Sequence, residues 1–220
     1  MMGESNLDHK ALITALVLAG GQSSRMGGAD KGLQLLGKRT LVHHVIDRLS
    51  AQVAIASTAI NANRHENEYG AFGLPLWPDD AADRPGPMAG IITGLERCQT
   101  PWLLVVPCDA PLLPLDLADR LLEAATRSNA DIAMACSQDA ATGREQPQPV
   151  FSLIHQRLLD SAREALANGE RRVLGWGRQH RLAFAHFEDN LESGIGPFAN
   201  ANTFEELARL KPHLTETPNP

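Results

Sequence analysis

The sequence lacks a disulfide framework and a membrane segment. Its 220 residues include only three cysteines, Cys98, Cys108 and Cys136, an odd number whose spacing fits neither paired disulfides nor a zinc site. It has no run of about 18 apolar residues, and the polar start "MMGESNLDHK" has no signal-peptide core. We therefore expect three buried, reduced thiols, no membrane association and a cytoplasmic location.

The sequence also has no excess of basic residues. The formal net charge is −6 at pH 7, whereas general nucleic-acid binding usually shows as a basic domain, so we expect no nucleic-acid partner. The eight histidines show no H-x(3)-H or similar spacing, which argues against a transition-metal site. A local basic pocket for a phosphorylated small molecule is still allowed.

What the sequence does contain is a nearly unbroken alternation of strand-like and helix-like segments. Strands are predicted at 11–19, 57–63, 74–77, 102–111, 131–136, 149–154 and 181–187. Helices are predicted after the cap Thr40, over 88–98 with Pro87 as the start, and after the cap Asn202, with Glu205 completing a capping box. Others are predicted at 115–128 and 155–168 and from about Arg171. This order predicts an α/β fold with a single doubly wound, mostly parallel sheet and helices on both faces, a Rossmann-like arrangement. We expect one domain over 11–211, a flexible extension over 1–10 and a flexible tail over 212–220.

The stretch "LVLAGGQSSRMGGADKG", residues 16–32, follows the first predicted strand. Its glycines have the wrong spacing for the dinucleotide fingerprint G-x-G-x-x-G. A Walker A loop fails as well, because Arg39 in "GLQLLGKRT" stands where the Mg²⁺-binding hydroxyl should be. The stretch instead has the form LAGG-x-S-x-R-M-G-x(3)-K.

This form suits a triphosphate. Gly20 and Gly21 allow a sharp turn that brings backbone N–H groups close to a ligand. Arg25 offers a fork of donors and Lys31 a point charge. The alternative is a glycine-rich surface turn with two solvated cations.

Polar residues follow the neighbouring predicted strands. Asn61, Asp79 and Asp109 come at strand ends, which converge at the carboxyl edge of a parallel sheet, where ligands bind. Asp109 ends an apolar strand, so its carboxylate needs a partner, either Mg²⁺ or a helix N-terminus. Asp79 could equally be a solvated loop acid, and Asn200 and Asn202 could cap the last helix.

Several stretches resemble known proteins. The glycine loop is similar to the signature of nucleotidyltransferases that build nucleoside-diphosphate sugars. Five further stretches, in order along nearly the whole chain, resemble the molybdenum cofactor guanylyltransferase family: "NANR" at 61–64, "DRPGPMAGI" at 83–91, "PCDAP" at 107–111, "GERRV" at 169–173 and "NANTFEELA" at 200–208.

The resemblance implies an activity. Such enzymes use Mg²⁺ to transfer GMP from GTP to Mo-molybdopterin, which yields the guanine dinucleotide cofactor and pyrophosphate. The family implies transient contacts with cofactor-synthesis proteins and molybdoenzyme clients, and we expect a monomer. The sequence departs from the family pattern at two positions. Phe204 stands where the family often has proline, and Gln148 stands where a family member can carry histidine.

The resemblance also implies roles for individual residues. The positions that match the nucleotide-binding loop and further GTP contacts are Leu18, Ala19, Gly20, Gly21, Lys31, Asn61 and Asp79. Asp109 matches the position that contacts the nucleotide and binds Mg²⁺. Asn200 and Asn202 match a pair near the pterin or a second metal.

The chemistry suits these residues. The terminal phosphate of molybdopterin is already anionic, so no general base is needed, and the site must screen repulsion between anions. Mg²⁺ at Asp109, with Arg25 and Lys31 over the β- and γ-phosphates, would supply that charge. Cytidylyl transfer to the molybdenum cofactor, nucleotidyl transfer to a sugar or polyol phosphate, and a non-catalytic cofactor carrier stay as alternatives.

Replacement of Asp109 by alanine tests the metal assignment. We expect Asp109→Ala to raise the activation barrier by about 3 kcal/mol or more, as loss of one strong electrostatic contact does in other enzymes. The measurement is the rate of pyrophosphate release from GTP. Near wild-type turnover by a folded variant would contradict the assignment.

Overall fold

The computed structural model describes residues 12–19, 30–79, 86–138, 143–188, 196–201 and 203–214. The strands in these ranges are β1 (Ile13–Leu18), β2 (Leu35–Leu36), β3 (Arg39–Thr40), β4 (Ile55–Asn61), β5 (Trp102–Pro107), β6 (Ile132–Gln138), β7 (Glu145–His155) and β8 (Leu182–Phe187). The helices are α1 (Leu41–Ser50), α2 (Glu66–Gly70), α3 (Pro87–Arg97), α4 (Leu117–Arg127), α5 (Leu159–Ala167), α6 (Val173–Gly177) and α7 (Phe204–Leu210).

The main sheet has six strands in the order β4-β1-β5-β7-β6-β8. β7 runs antiparallel to both β5 and β6, and the other neighbouring pairs are parallel. β2 and β3 form a separate antiparallel pair. The predicted mostly parallel α/β fold is confirmed.

Two hydrophobic layers cover the sheet because side chains alternate along each strand. Ile13 and Val17 of β1 point into a layer with α1 and α4, whereas Leu16 points into a layer with α3, α5 and α6. This confirms the prediction of helices on both faces. The three cysteines are buried and unpaired, also as predicted.

A third, smaller cluster joins α7 to the β2–β3 hairpin. Leu36 and Leu41 pack with Ala201, Leu207 and Leu210. A 3₁₀ turn over Lys211–His213 continues directly from α7. The last described part of the chain is thereby attached to the segment that follows the glycine loop.

Some local predictions differ from the structure. The segment 74–77 is not a full strand but a single parallel bridge between Leu76 and Ile60. Thr40 is the N-cap residue of α1, but its side chain makes no capping hydrogen bond. The predicted helix over 155–168 starts with a 3₁₀ turn, Gln156–Leu158, before α5.

Residues 1–10, predicted to be a flexible extension, lie outside the described residues. Within the described ranges the longest helices have 11 residues, and none of them is long and apolar enough to cross a membrane.

The amino end of β6 carries an ion cluster around Asp131. Arg181 donates to both carboxylate oxygens from Nε and Nη2 at 3.0 Å each, and Arg157 Nε donates at 2.8 Å. Backbone hydrogen bonds are also part of the cluster. The Asp131 N–H donates to the Arg181 carbonyl, and the His155 N–H donates to the Asp131 carbonyl. Hydrogen bonds from Arg181, with those from Arg157, hold the pKa of Asp131 well below its usual range. The cluster connects β6, β7 and β8.

Replacement of Asp131 tests this cluster. We expect Asp131→Asn to lower the free energy of unfolding at pH 7 by about 1–2 kcal/mol, a moderate value because both arginines are half exposed. Since the folded-state pKa is depressed, the stabilisation is complete above the unfolded pKa of about 4 and fades as pH falls below it. Urea unfolding at pH 7 and pH 3 should therefore show a smaller difference between wild type and variant at pH 3.

The matched control is Asp160→Asn, because Asp160 pairs with Arg163 at 3.3 Å but is 95% exposed. We expect a change below about 0.5 kcal/mol. An equal effect of both substitutions, or an Asp131→Asn effect that does not change with pH, would contradict the assignment.

Candidate active site

Three neighbouring strands end at the same edge of the sheet. Leu18 lies opposite Asn61 in the β1–β4 register and opposite Pro107 in the β1–β5 register. The Ala19 N–H donates to the Asn61 carbonyl at 2.8 Å, and the Cys108 N–H donates to the Leu18 carbonyl at 3.0 Å. The residues that follow these strands therefore lie side by side, as predicted for the ligand-binding edge.

Asp109 and Lys31 meet at this edge. The Asp109 side chain is 11% exposed, and its Oδ2 lies 3.4 Å from Lys31 Nζ. Burial raises the pKa of Asp109 above its ordinary value, the Lys31 ammonium acts in the opposite direction, and Glu206 adds to the rise. A buried carboxylate whose charge is only partly compensated is a favourable place for an added cation.

Asp79 is held by three side-chain donors. Its Oδ1 accepts hydrogen bonds from Asn61 Nδ2 at 2.8 Å and Thr93 Oγ1 at 2.9 Å. Its Oδ2 accepts one from Asn63 Nδ2 at 2.9 Å, and its backbone N–H donates to Asn63 Oδ1 at 2.7 Å. Asp79 is therefore no freely solvated loop acid, and the structure brings it together with Asn61 as predicted. Thr93 was not identified from sequence, since it lies in the middle of a helix.

Helix α3 lies close to the sheet because two glycines face it. A Cβ on Gly90 would come within 2.5 Å of Asn61 Oδ1 and 2.6 Å of Leu18 Cδ2. A Cβ on Gly94, one turn later, would meet leucine side chains of β1 and β5 at 2.6 and 2.7 Å. Gly90 therefore packs against the polar network, whereas Gly94 packs against the apolar core.

The segment before α7 lies against the end of β5. The Ala201 N–H donates to the Asp109 carbonyl at 3.0 Å. The preceding residue, Asn200, has a buried Oδ1 that accepts no hydrogen bond from the part of the chain that the structure describes. Buried acceptors are normally satisfied, so a donor from the undescribed residues, a ligand or a metal ion is expected there.

The last helix begins one residue later than predicted. Thr203 is its N-cap: Thr203 Oγ1 accepts the Glu206 N–H, and the Glu206 carboxylate accepts the Thr203 N–H, each at 3.1 Å. The predicted capping pair of Asn202 and Glu205 was wrong. Both pairs fit the capping-box spacing, and only the extended backbone at Thr203 decides between them. Asn202 itself lies outside the described residues.

The exit of the glycine loop is anchored by a residue that sequence analysis missed. Gly20, Gly21 and Arg25 lie outside the described residues, so their roles stay predictions. Asp30 is described and is 8% exposed. Its Oδ1 accepts a hydrogen bond from the Tyr69 hydroxyl. No local pattern in the sequence connects two residues so far apart.

The residues at this edge suit Mg²⁺ better than a transition metal. Within the described ranges, no three His, Cys, Asp or Glu side chains gather in a way that could hold a metal. The Asp109 carboxylate and the orphaned Asn200 amide oxygen are hard oxygen donors. Such a sparse set fits an ion that takes most of its ligands from substrate phosphates and water, as Mg²⁺ does.

Comparison with known proteins identifies the family. The sequence family described as "MobA-like NTP transferase domain" matches residues 15–182. The molybdenum cofactor guanylyltransferase of Acidovorax ebreus (strain TPSY) is 50% identical over 205 residues, which cover 90% of this chain and 95% of that protein. The chain belongs to the molybdenum cofactor guanylyltransferase family. Its relative from Bordetella pertussis (strain Tohama I) is 46% identical over 199 residues, which cover 90% of this chain and 96% of that protein.

Solved structures share the fold of this guanylyltransferase family member. Molybdopterin-guanine dinucleotide biosynthesis protein A from Archaeoglobus fulgidus has a TM-score of 0.69 at 18% identity, with 91% of this chain and 97% of that chain covered. A 4-diphosphocytidyl-2C-methyl-D-erythritolsynthase from Anaerococcus prevotii reaches 0.70 at 12% identity, with 94% and 99% covered. The architecture is thus shared by proteins whose names describe different products, and it does not by itself indicate the nucleotide.

The two α3 glycines provide a matched test of the Asn61 network. A methyl group at either position overpacks the helix–sheet contact, so Gly90→Ala and Gly94→Ala should each lower the free energy of unfolding by about 1–3 kcal/mol. Only Gly90→Ala displaces the Asn61 side chain, and we expect it alone to weaken GTP binding, by about tenfold. Urea unfolding and calorimetric titration with GTP measure the two effects. Equal GTP affinities in the two variants would contradict a nucleotide-binding role for Asn61.

Proposed function

We propose that this protein transfers GMP from GTP to the terminal phosphate of Mo-molybdopterin and releases pyrophosphate. The observation that carries the proposal is the meeting of Lys31 and Asp109, 3.4 Å apart, beside the Asn61–Asp79 network in a member of the guanylyltransferase family. One cation, one buried acid and a fixed polar pair at the same sheet edge suit a nucleoside triphosphate.

The proposed orientation of GTP follows from the strand order. β4 lies on one side of β1 and β5 on the other, so the Asn61–Asp79 pair and the Lys31–Asp109 pair flank the position where the glycine loop leaves β1. We place the nucleoside toward Asn61 and Asp79 and the phosphates toward Lys31 and Asp109. Arg25, on the glycine loop, would then reach the β- and γ-phosphates with Lys31.

The residues of this chain reduce the electrostatic repulsion between the acceptor phosphate and the triphosphate. An oxygen of the acceptor phosphate forms a bond to the α-phosphorus of GTP while the bond from that phosphorus to the β-phosphate oxygen breaks. The acceptor is already anionic, so no side chain has to remove a proton. The Lys31 ammonium lies against the triphosphate, where it lowers the negative charge that the acceptor approaches and stabilises the charge that develops on pyrophosphate. A fixed geometry of the two substrates supplies much of the remaining rate.

The same edge could hold the metal that the family resemblance implies. Asp109, and Asn200 through its orphaned oxygen, would bind Mg²⁺, which when bound supplies positive charge close to the phosphates. The raised pKa of Asp109 fits this proposal, since burial leaves the carboxylate in need of more positive charge than Lys31 provides.

The proposed position of the acceptor is on the other side of Asp109. The pairing of β5 with β7 ends at Val105–Ser152, whereas β7 continues along β6 as far as Gln138–Glu145. The sheet therefore opens beyond Val105, at the same edge as Asp109. We place the pterin there, beside Gln148, whose Nε2 already donates to Ser137 Oγ at 3.1 Å. A cytoplasmic location, a monomeric state and transient contacts with client molybdoenzymes complete the proposal.

Nucleotide choice gives the direct test. With Mg²⁺ and Mo-molybdopterin present, we expect GTP to support pyrophosphate release at least about tenfold faster than CTP or ATP, because a site that hydrogen-bonds one base leaves polar groups unpaired with another. Pyrophosphate should not form without molybdopterin. A preference for CTP would replace guanylyl by cytidylyl transfer. Binding of GTP and molybdopterin without pyrophosphate release would indicate a non-catalytic carrier.

A further inference from the structure

Asp30 is a buried acid that the proposed reaction does not use. Its Oδ1 accepts the Tyr69 hydroxyl at 2.5 Å and the Gly32 N–H at 2.9 Å. Its backbone carbonyl accepts Gln34 Nε2 at 3.2 Å. Burial of a carboxylate is costly unless hydrogen bonds compensate it, and hydrogen bonds to an ionised acceptor are among the stronger ones in proteins. These contacts therefore hold the chain firmly at Asp30 and Gly32, the two residues that flank Lys31.

Tyr69 is fixed by a different part of the fold. It is the chain's single tyrosine, is fully buried and lies on α2, in the segment that follows β4 and Asn61. The space around its hydroxyl is closed, because a Cβ on Gly32 would lie 2.5 Å from the Tyr69 oxygen and 3.0 Å from Cys108 Sγ. The tyrosine thus connects the exit of β4 with the exit of the glycine loop.

We propose that Asp30 and Tyr69 are positioning residues that hold Lys31 toward Asp109 and the GTP phosphates. Lysine places its charge on a flexible four-carbon stem, so a fixed backbone on both sides of it reduces the freedom that the ammonium must lose on binding. Displacement of a catalytic group by about 1 Å can cost on the order of 100-fold in rate. The inference rests on the proposed function, in which Lys31 contacts the phosphates.

Tyr69→Phe removes only the hydroxyl that reaches Asp30. We expect the variant to fold, with a Tm lower by about 3 °C, and to lose about tenfold in kcat/KM for GTP in the pyrophosphate-release assay. The KM for Mo-molybdopterin should stay the same, because Lys31 faces the triphosphate and not the acceptor. A general loss of structure would change both substrates' constants.

Two further variants separate positioning from packing. In a Lys31→Ala background, Tyr69→Phe should have less than a twofold further effect, since its target is gone. Ser161→Ala is the matched control, because it removes a part-buried hydroxyl that accepts Trp176 Nε1 at 3.2 Å on the α5–α6 side of the sheet. It should lower Tm without changing kcat/KM.

The outcomes distinguish the two proposals. If Lys31→Ala lowers kcat/KM strongly but Tyr69→Phe leaves it at the wild-type value, the positioning inference is wrong and the proposed function stands. If Tyr69→Phe has its full effect in the Lys31→Ala background, Tyr69 acts by another route and the inference is again wrong. If Lys31→Ala itself turns over GTP normally, the proposed role of Lys31 fails first.

Discussion

The burial of one carboxylate organises the functional edge of this protein. β5 lies inside the sheet, between β1 and β7, so an acid at its end cannot reach bulk water as a loop acid would. The Asp109 carboxylate is compensated by Lys31, which follows the glycine loop, and by its own backbone N–H, whereas the Ala201 N–H bonds only the Asp109 backbone carbonyl. The raised pKa of Asp109 indicates that these groups compensate its charge only in part. A site in this condition favours the arrival of positive charge with the substrate.

The buried acids at the two ends of the sheet have pKa values shifted in opposite directions. At the amino end, two arginines satisfy Asp131 and depress its pKa, so that carboxylate contributes to stability and has little capacity to bind anything else. At the carboxyl end, burial raises the pKa of Asp109. The partly compensated acid thus lies at the carboxyl edge, which is where ligands bind in sheets of this kind.

Sequence analysis predicted the elements and residues whose signals are local. The apolar strands that end at Asn61 and Asp109 were recognisable because each run of buried residues stops at a polar side chain, and the family motifs pointed to the same positions. The cap of α7 was misplaced by one residue, since Asn202 and Thr203 both satisfy the same spacing rule. The strand at 74–77 was too short for its pattern to distinguish a strand from a single bridge.

Local sequence patterns could not predict contacts between segments that are distant in the chain. Neither the hydrogen bond from Tyr69 to Asp30 nor the one from Thr93 to Asp79 has a sequence signature, because each depends on how a helix and a distant loop meet in space. The reversed direction of β7 is a property of topology in the same way. Local chemistry thus selected candidate residues, and only the fold showed which of them lie in contact.

The contact between Ala201 and Asp109 makes the site depend on a part of the chain that lies outside the sheet. The described strands of the main sheet all end before residue 188, whereas the segment over Asp109 comes later in the chain. The last segment then closes on the site through the small cluster of Leu36, Leu41, Ala201, Leu207 and Leu210. A chain cut after β8 would therefore keep every described strand of the main sheet and lose the segment that covers Asp109.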